Sequence, residues 1–162
     1  MSNITRRTFV VASAGAAVAA AAGVPAIAME EAKTIEVAML NKATDNPRER
    51  MVYEPNLIRA NPGDTIKFVS VDKGHNAELM EGGVPEGVEL VKSKASEDFE
   101  LTVEAEGTYL VKCTPHYATG MVMIIAVGDH TVNLDAAKEV RQRGKAKGRF
   151  EEIFAELESG EA

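Results

Sequence analysis

Hydrophobic residues along this chain recur mostly at alternate positions, in short runs separated by turn-forming residues. Ile35, Val37 and Met39 share one parity after Lys33, and similar runs follow at 51–53, 65–71, 99–103, 108–111 and 121–127. A period of two places successive side chains on opposite faces of an extended strand. Between the runs lie Asn61-Pro62-Gly63-Asp64, Glu81-Gly82-Gly83 and Glu106-Gly107. There proline fixes one backbone angle and glycine supplies a positive one, as tight turns require. Many short strands with this punctuation predict an all-β sandwich.

The pattern changes after His130. Phe150, Ile153, Phe154 and Leu157 recur at helical spacing, as do Leu134, Ala137 and Val140 more weakly, with Asn133 placed as an N-terminal cap. Two short helices packed on the sandwich are predicted within a C-terminal extension, residues 131–162. Between them, Arg141, Arg143, Lys145, Lys147 and Arg149 read as a basic connector, and charge runs of this kind are usually solvated and idle.

The opening residues carry a different signal. Arg6 and Arg7 precede an alanine-rich apolar run that ends in Ala26-Ile27-Ala28. Twin arginines, a modest apolar stretch and an A-x-A end are the features of a twin-arginine export signal, so residues 1–28 are expected to be removed, leaving a domain over 29–162. A membrane anchor is the competing reading, but alanine and glycine dominate the run and Pro25 interrupts it. In bacteria that route ends in the periplasm. Removing the two arginines leaves 16 basic residues against 25 acidic ones, a formal charge of −9. Such a chain lacks the broad positive face that nucleic acid demands.

Its single cysteine, Cys113, forbids an internal disulfide, so the thiol needs another explanation. It opens the segment Cys113-Thr114-Pro115-His116-Tyr117-Ala118-Thr119-Gly120-Met121, which reads C-x2-H-x4-M. Each residue has an ordinary explanation alone, as a buried small hydrophobe, a polar side chain and a core methionine. Together they supply a soft thiolate, an imidazole and a thioether, three of the four donors of a blue copper site. The remaining imidazole must come from another turn. His75, just beyond the 65–71 strand, fits a sandwich whose strand ends gather at one rim, whereas His130 follows the last strand and belongs at the opposite end. His75, Cys113, His116 and Met121 are therefore the expected ligands of one copper ion cycling between Cu(I) and Cu(II).

Two neighbours suggest support for such a site. Asn76 can offer its backbone N–H to the Cys113 sulfur and its side chain to Thr114, although asparagine is also a common turn former. Pro115 restricts Thr114 to extended backbone and stiffens the loop. Three other readings use the same residues: a copper store or metallochaperone, a thiol enzyme with His116 as base to Cys113, and a zinc site.

The segments Met39-Leu40-Asn41-Lys42, Asn61-Pro62-Gly63-Asp64, Val71-Asp72-Lys73-Gly74-His75-Asn76 and the Cys113 loop resemble the pseudoazurins, bacterial cupredoxins, over nearly the whole chain after the signal. The resemblance implies an eight-stranded Greek-key cupredoxin sandwich with two short C-terminal helices and a type 1 copper centre with the ligands already named. It also implies a monomeric periplasmic electron carrier, not an enzyme. Expected partners are denitrification reductases: copper nitrite reductase and also nitrous oxide reductase or haem-type nitrite reductase. In such proteins the exposed ligand histidine sits in an apolar patch ringed by lysines, matched here by Lys42, Lys73, Lys92, Lys94 and Lys112. Met51 matches a methionine near the His116 ring. Two features depart from the resemblance: residues 43–50 form a longer, more charged segment, and Thr119 stands where methionine is expected. Both are expected near the docking rim.

Overall fold

The computed structural model describes residues 31–160, so the expected signal over 1–28 lies outside the described residues. Among these residues, eight strands form two four-stranded sheets. The first contains β1 (Thr34–Lys42), β2 (Arg50–Glu54), β4 (Thr65–Val69) and β6 (Phe99–Thr102), in the order β2-β1-β4-β6. The second contains β3 (Leu57–Ala60), β5 (Glu78–Leu79), β7 (Gly107–Lys112) and β8 (Val122–Val127), in the order β3-β8-β7-β5. β1 runs parallel to β4 and β3 parallel to β8, while the other neighbours are antiparallel.

Alternation explains which sheet face each residue serves. Val37 and Met39 of β1 and Ile66 and Phe68 of β4 project inward against Tyr109 and Val111 of β7 and Met123, Ile125 and Val127 of β8. The six residues of β8 are all buried because the strand is covered on both sides. Its other parity, Val122, Ile124 and Ala126, packs beneath Phe150, Ile153, Phe154 and Leu157 of the last helix. Full burial of each large apolar side chain contributes about 1.5 to 3 kcal/mol, so this second core is a substantial part of the fold. A strand covered on both faces reads as continuous apolar sequence instead of alternation.

The two expected helices are present as α1 (Leu134–Glu139) and α2 (Lys145–Ser159). Two details differ. Asn133 does not cap α1 with its side chain. Its Oδ1 accepts the Thr108 N–H at 2.7 Å and its Nδ2 donates to the Thr108 carbonyl at 2.9 Å, so the amide pairs with the start of β7 as a neighbouring strand would. Gly107 makes room for this, since a Cβ there would lie 2.6 Å from Asn133 Oδ1.

The basic connector is also shorter than expected, because Lys145, Lys147 and Arg149 belong to α2 itself. Cations oppose the helix dipole at an N-terminus. Here Arg149 Nη1 lies 2.8 Å from Glu49, an ion pair that fastens α2 to the 43–50 segment and gives this part of the charge run a structural role. Glu49 is held below its ordinary carboxylate range, chiefly by that Arg149 hydrogen bond. Among the described residues, no helix is long and apolar enough to cross a membrane.

Candidate metal centre

β7 and β8 are antiparallel, with Lys112 opposite Val122. The next rung is Cys113 opposite Met121, and the Cys113 N–H donates to the Met121 carbonyl at 3.0 Å. Directly opposed residues share a sheet face. Val111 and Met123, two positions back along each strand, point into the core, so Cys113 and Met121 point inward as well; both are fully buried within it. The intervening loop coils through a 3-10 turn, Tyr117–Thr119, and the Met121 N–H reaches back to the His116 carbonyl at 3.2 Å. This folding carries His116 over the thiol.

Three donors meet there. The Nδ1 atoms of His75 and His116 are 3.1 Å apart, and Cys113 Sγ lies 3.9 Å from the first and 3.6 Å from the second. A circle through those three atoms has a radius of about 2.1 Å, inside the roughly 2.0–2.3 Å span of imidazole and thiolate bonds to a first-row divalent cation. No hydrogen bond needs that triangular convergence of two ring nitrogens on a sulfur, whereas a cation at its centre does. Among the described residues, His75, Cys113 and His116 form the single group of this kind. His130 is not in it; it begins a 3-10 turn beyond β8, where its carbonyl accepts the Thr108 hydroxyl.

The buried imidazole is oriented from behind. His75 Nε2 lies 3.1 Å from Asn41 Oδ1, and since an amide oxygen can only accept, the ring proton sits on Nε2 and Nδ1 keeps its lone pair. Burial, then the adjacent His116 ring, hold His75 below its ordinary imidazole value, with Asp72 opposing, which favours the neutral form that can ligate. Asp72 in turn accepts the Asn41 N–H, tying the end of β1 to the His75 turn. Ser96, at a left-handed φ of 67°, clamps the same turn from the other side. Its N–H donates to the His75 carbonyl and its hydroxyl accepts the Gly74 N–H, each at 2.9 Å.

Asn76 joins the two ligand segments. Its Oδ1 accepts the Thr114 N–H at 2.8 Å, and its Nδ2 donates to Thr114 Oγ1 at 3.2 Å and to the Ser93 carbonyl at 3.3 Å. Its own carbonyl accepts the buried Tyr53 hydroxyl at 2.6 Å. Burial pushes the Cys113 thiol up, and the Asn76 and His116 N–H groups directed at its sulfur offset this only in part. Without metal the group is therefore a neutral thiol, and a bound cation must drive its ionisation.

A third anchor comes from the helical tail. Gly144, at φ 59°, lies so close that a Cβ there would stand 2.4 Å from the Ala118 carbonyl oxygen. The Arg143 guanidinium covers the Tyr117 ring at 5.2 Å, and the Tyr117 hydroxyl donates to Gln142 Oε1. The residues just before α2 thus roof the ligand loop. Asn41, Ser96, Tyr53 and Gly144 were not singled out as site residues by sequence reasoning. Each reaches the site through tertiary folding, from at least 21 residues away along the chain, the spacing of Ser96 from His75.

The five lysines do not form a uniform set of free charges. Lys92 and Lys112 both pair with Glu78 at 3.2 Å, and Lys94 lies 3.9 Å from Glu97. Lys73 Nζ donates to the Ser96 carbonyl.

Known proteins resemble this chain in sequence and fold. The family described as copper binding proteins, plastocyanin/azurin family, matches residues 37–128. Pseudoazurin from Paracoccus pantotrophus is 48% identical over 141 residues, covering 87% of this chain and 95% of that one. Pseudoazurin from Methylorubrum extorquens is 40% identical over 148 residues, covering 91% and 95%. Among solved structures, a Sinorhizobium pseudoazurin superposes with a TM-score of 0.75 at 48% identity over 79% of this chain and 98% of its own. The pseudoazurin of Hyphomicrobium denitrificans does so with a TM-score of 0.71 at 41% identity, over 76% and 97%. The buried thiol facing two imidazoles, the two four-stranded sheets and these likenesses agree: the chain belongs to the plastocyanin/azurin family of copper-binding proteins and, within it, to the pseudoazurins, copper electron-transfer proteins and not enzymes.

Proposed function

We propose that His75, Cys113, His116 and Met121 hold the copper of this electron carrier, and that the protein works in the periplasm as a donor to denitrification reductases. The observation that carries the ligand assignment is the donor triangle, with Met121 buried on the rung opposite Cys113. Bound there, copper supplies a one-electron couple. The chain's part is to keep the donors still: Asn41 fixes one ring, Asn76 locks the two ligand segments together, and Gly144 backs the loop. A cage fixed before the electron arrives has little to rearrange, which suits a carrier and disfavours a store that must release its ion.

Residues 1–28 serve in this reading as the export signal and 29–162 as the mature, monomeric domain. The partially exposed His116 is the exit for the electron. Partners dock over it on the face bearing Lys42, Lys73, Lys92, Lys94 and Lys112, with copper nitrite reductase the first candidate and nitrous oxide reductase or haem-type nitrite reductase the others. A positive patch on a protein of formal charge −9 makes a dipole that steers association.

The test is direct. Copper-loaded protein should show an intense visible thiolate-to-copper(II) band and a reversible one-electron wave, and Cys113→Ser should abolish the band. Met121→Gln should lower the potential while copper stays bound; an unchanged potential would remove Met121 from the ligand set. Electron transfer to purified copper nitrite reductase should slow as salt rises, and a salt-independent rate would exclude the lysine-bearing face as the docking surface.

A further inference from the structure

Glu78 lies on the short strand β5 with a lysine on each flank. In the sheet it is paired with Lys112 of β7, and on its other side it bridges to Lys92. Cross-strand neighbours of opposite charge attract, and its Oε1 reaches Lys112 Nζ at 3.2 Å while its Oε2 reaches Lys92 Nζ at 3.2 Å. Oε2 also accepts the Thr114 hydroxyl. Burial alone would raise this carboxyl, yet Thr114 and the two ammonium groups hold it below its ordinary range, so it is charged at neutral pH.

The carboxylate is 22% exposed, and Lys92 is 56% exposed. The Lys92 pair is the open one, weakly held and easily exchanged, while Lys112, 26% exposed, is the more enclosed partner and is released second. One negative charge thus occupies the position between two lysines that a carboxylate of an incoming acidic surface would take. Thr114 then links this charge to Asn76, and Asn76 to both ligand segments.

We propose that Glu78 is a built-in competitor for an acidic partner: it holds Lys92 and Lys112 until the partner's carboxylates take them over, and so limits how strongly this face attracts anions. The inference rests on the proposed docking face and adds a residue that sets its strength. Lys42 and Lys73, without an ion pair among the described residues, would make first contact, and Lys92 and Lys112 would be recruited by exchange.

Glu78→Gln keeps the shape and the acceptor for Thr114 but removes the charge. Stopped-flow oxidation of the reduced copper protein provides the readout, with hexacyanoferrate(III) as anionic probe and tris(phenanthroline)cobalt(III) as cationic probe. Each takes one electron and becomes the corresponding iron(II) or cobalt(II) complex. At ionic strength near 0.01 M, where screening extends over about 30 Å, the anion should react roughly threefold faster than with wild type, and the cation should slow by a similar factor. Both changes should collapse at 1 M salt. Any shift in potential moves both rates together, so the ratio isolates the docking charge, and Glu78→Ala should give the same ratio change if the glutamine variant is poorly folded. An unchanged ratio in Glu78→Gln, with Lys112→Gln still slowing the anion, would overturn the role of Glu78 and leave the docking face standing. Unchanged ratios in both Glu78→Gln and Lys112→Gln would overturn the docking face and this inference with it.

Discussion

The two imidazoles of the site live in opposite surroundings. His75 is wholly buried, its far nitrogen held by Asn41 and its turn clamped by Ser96, whereas His116 is partly exposed and rides on a loop held chiefly through its backbone. The first ring is fixed by the protein before any metal arrives. Among the described residues the second ring meets only the His75 nitrogen and the Cys113 sulfur, so the proposed metal would do most to fix it, and it is partly exposed. In the proposed reading one histidine anchors the metal and the other passes the electron, a division that follows from His75 being buried and His116 partly exposed.

The sharpest way to break this comparison is to remove each ring in turn. His116→Gly opens a gap reachable from solvent, so added imidazole at millimolar concentration should restore the visible copper band. His75→Gly opens a gap sealed inside the core, and the band should stay absent at any imidazole concentration. Equal rescue of both, read by absorption titration, would abolish the distinction. Next in size, Asn41→Leu leaves His75 free to choose its tautomer and should weaken copper binding about 10- to 100-fold in a chelator competition, with a smaller effect on His116 dynamics by NMR.

On the loop side, Gly144→Ala forces a Cβ onto the Ala118 carbonyl at a backbone angle that L-residues rarely adopt. It should cost about 1 to 3 kcal/mol in urea unfolding of the metal-free protein and shift the potential through the loop. The smallest effect concerns protons. Burial raises the Cys113 thiol, so copper uptake at neutral pH should release about one proton from it, measurable with an indicator in weak buffer. The same shift has a sign for folding. A thiol raised in the native state stabilises metal-free protein below the unfolded value near 8.5, and that contribution is lost as pH rises through the native value. The metal-free protein should therefore weaken in mildly alkaline solution.

Much of this was legible in the sequence because it is local. The C-x2-H-x4-M spacing places three donors on one loop between two strands, and alternation located six of the eight strands. The two omitted strands explain themselves. β3 is short, with three of its four residues buried, and β5 has only two residues, too few for a period. Asn133 stands at the N-cap position of α1 as expected, but a side-chain amide can pair with a helix end or with a strand, and only the proximity of Thr108 decides between them. The start of α2 was hidden by its basic residues, of which Arg149 finds its partner 100 residues away in Glu49. Glu78 is invisible for the same reason: its meaning depends on strand register, which no single segment states.

The burial of β8 on both faces has a consequence for biosynthesis. The strand's outer side is sealed by Phe150, Ile153 and Leu157, which leave the ribosome after every ligand has been made. A nascent chain therefore carries its thiol and imidazoles for some time before the wall behind their loop exists, and the domain folds as a unit only once its far end has emerged.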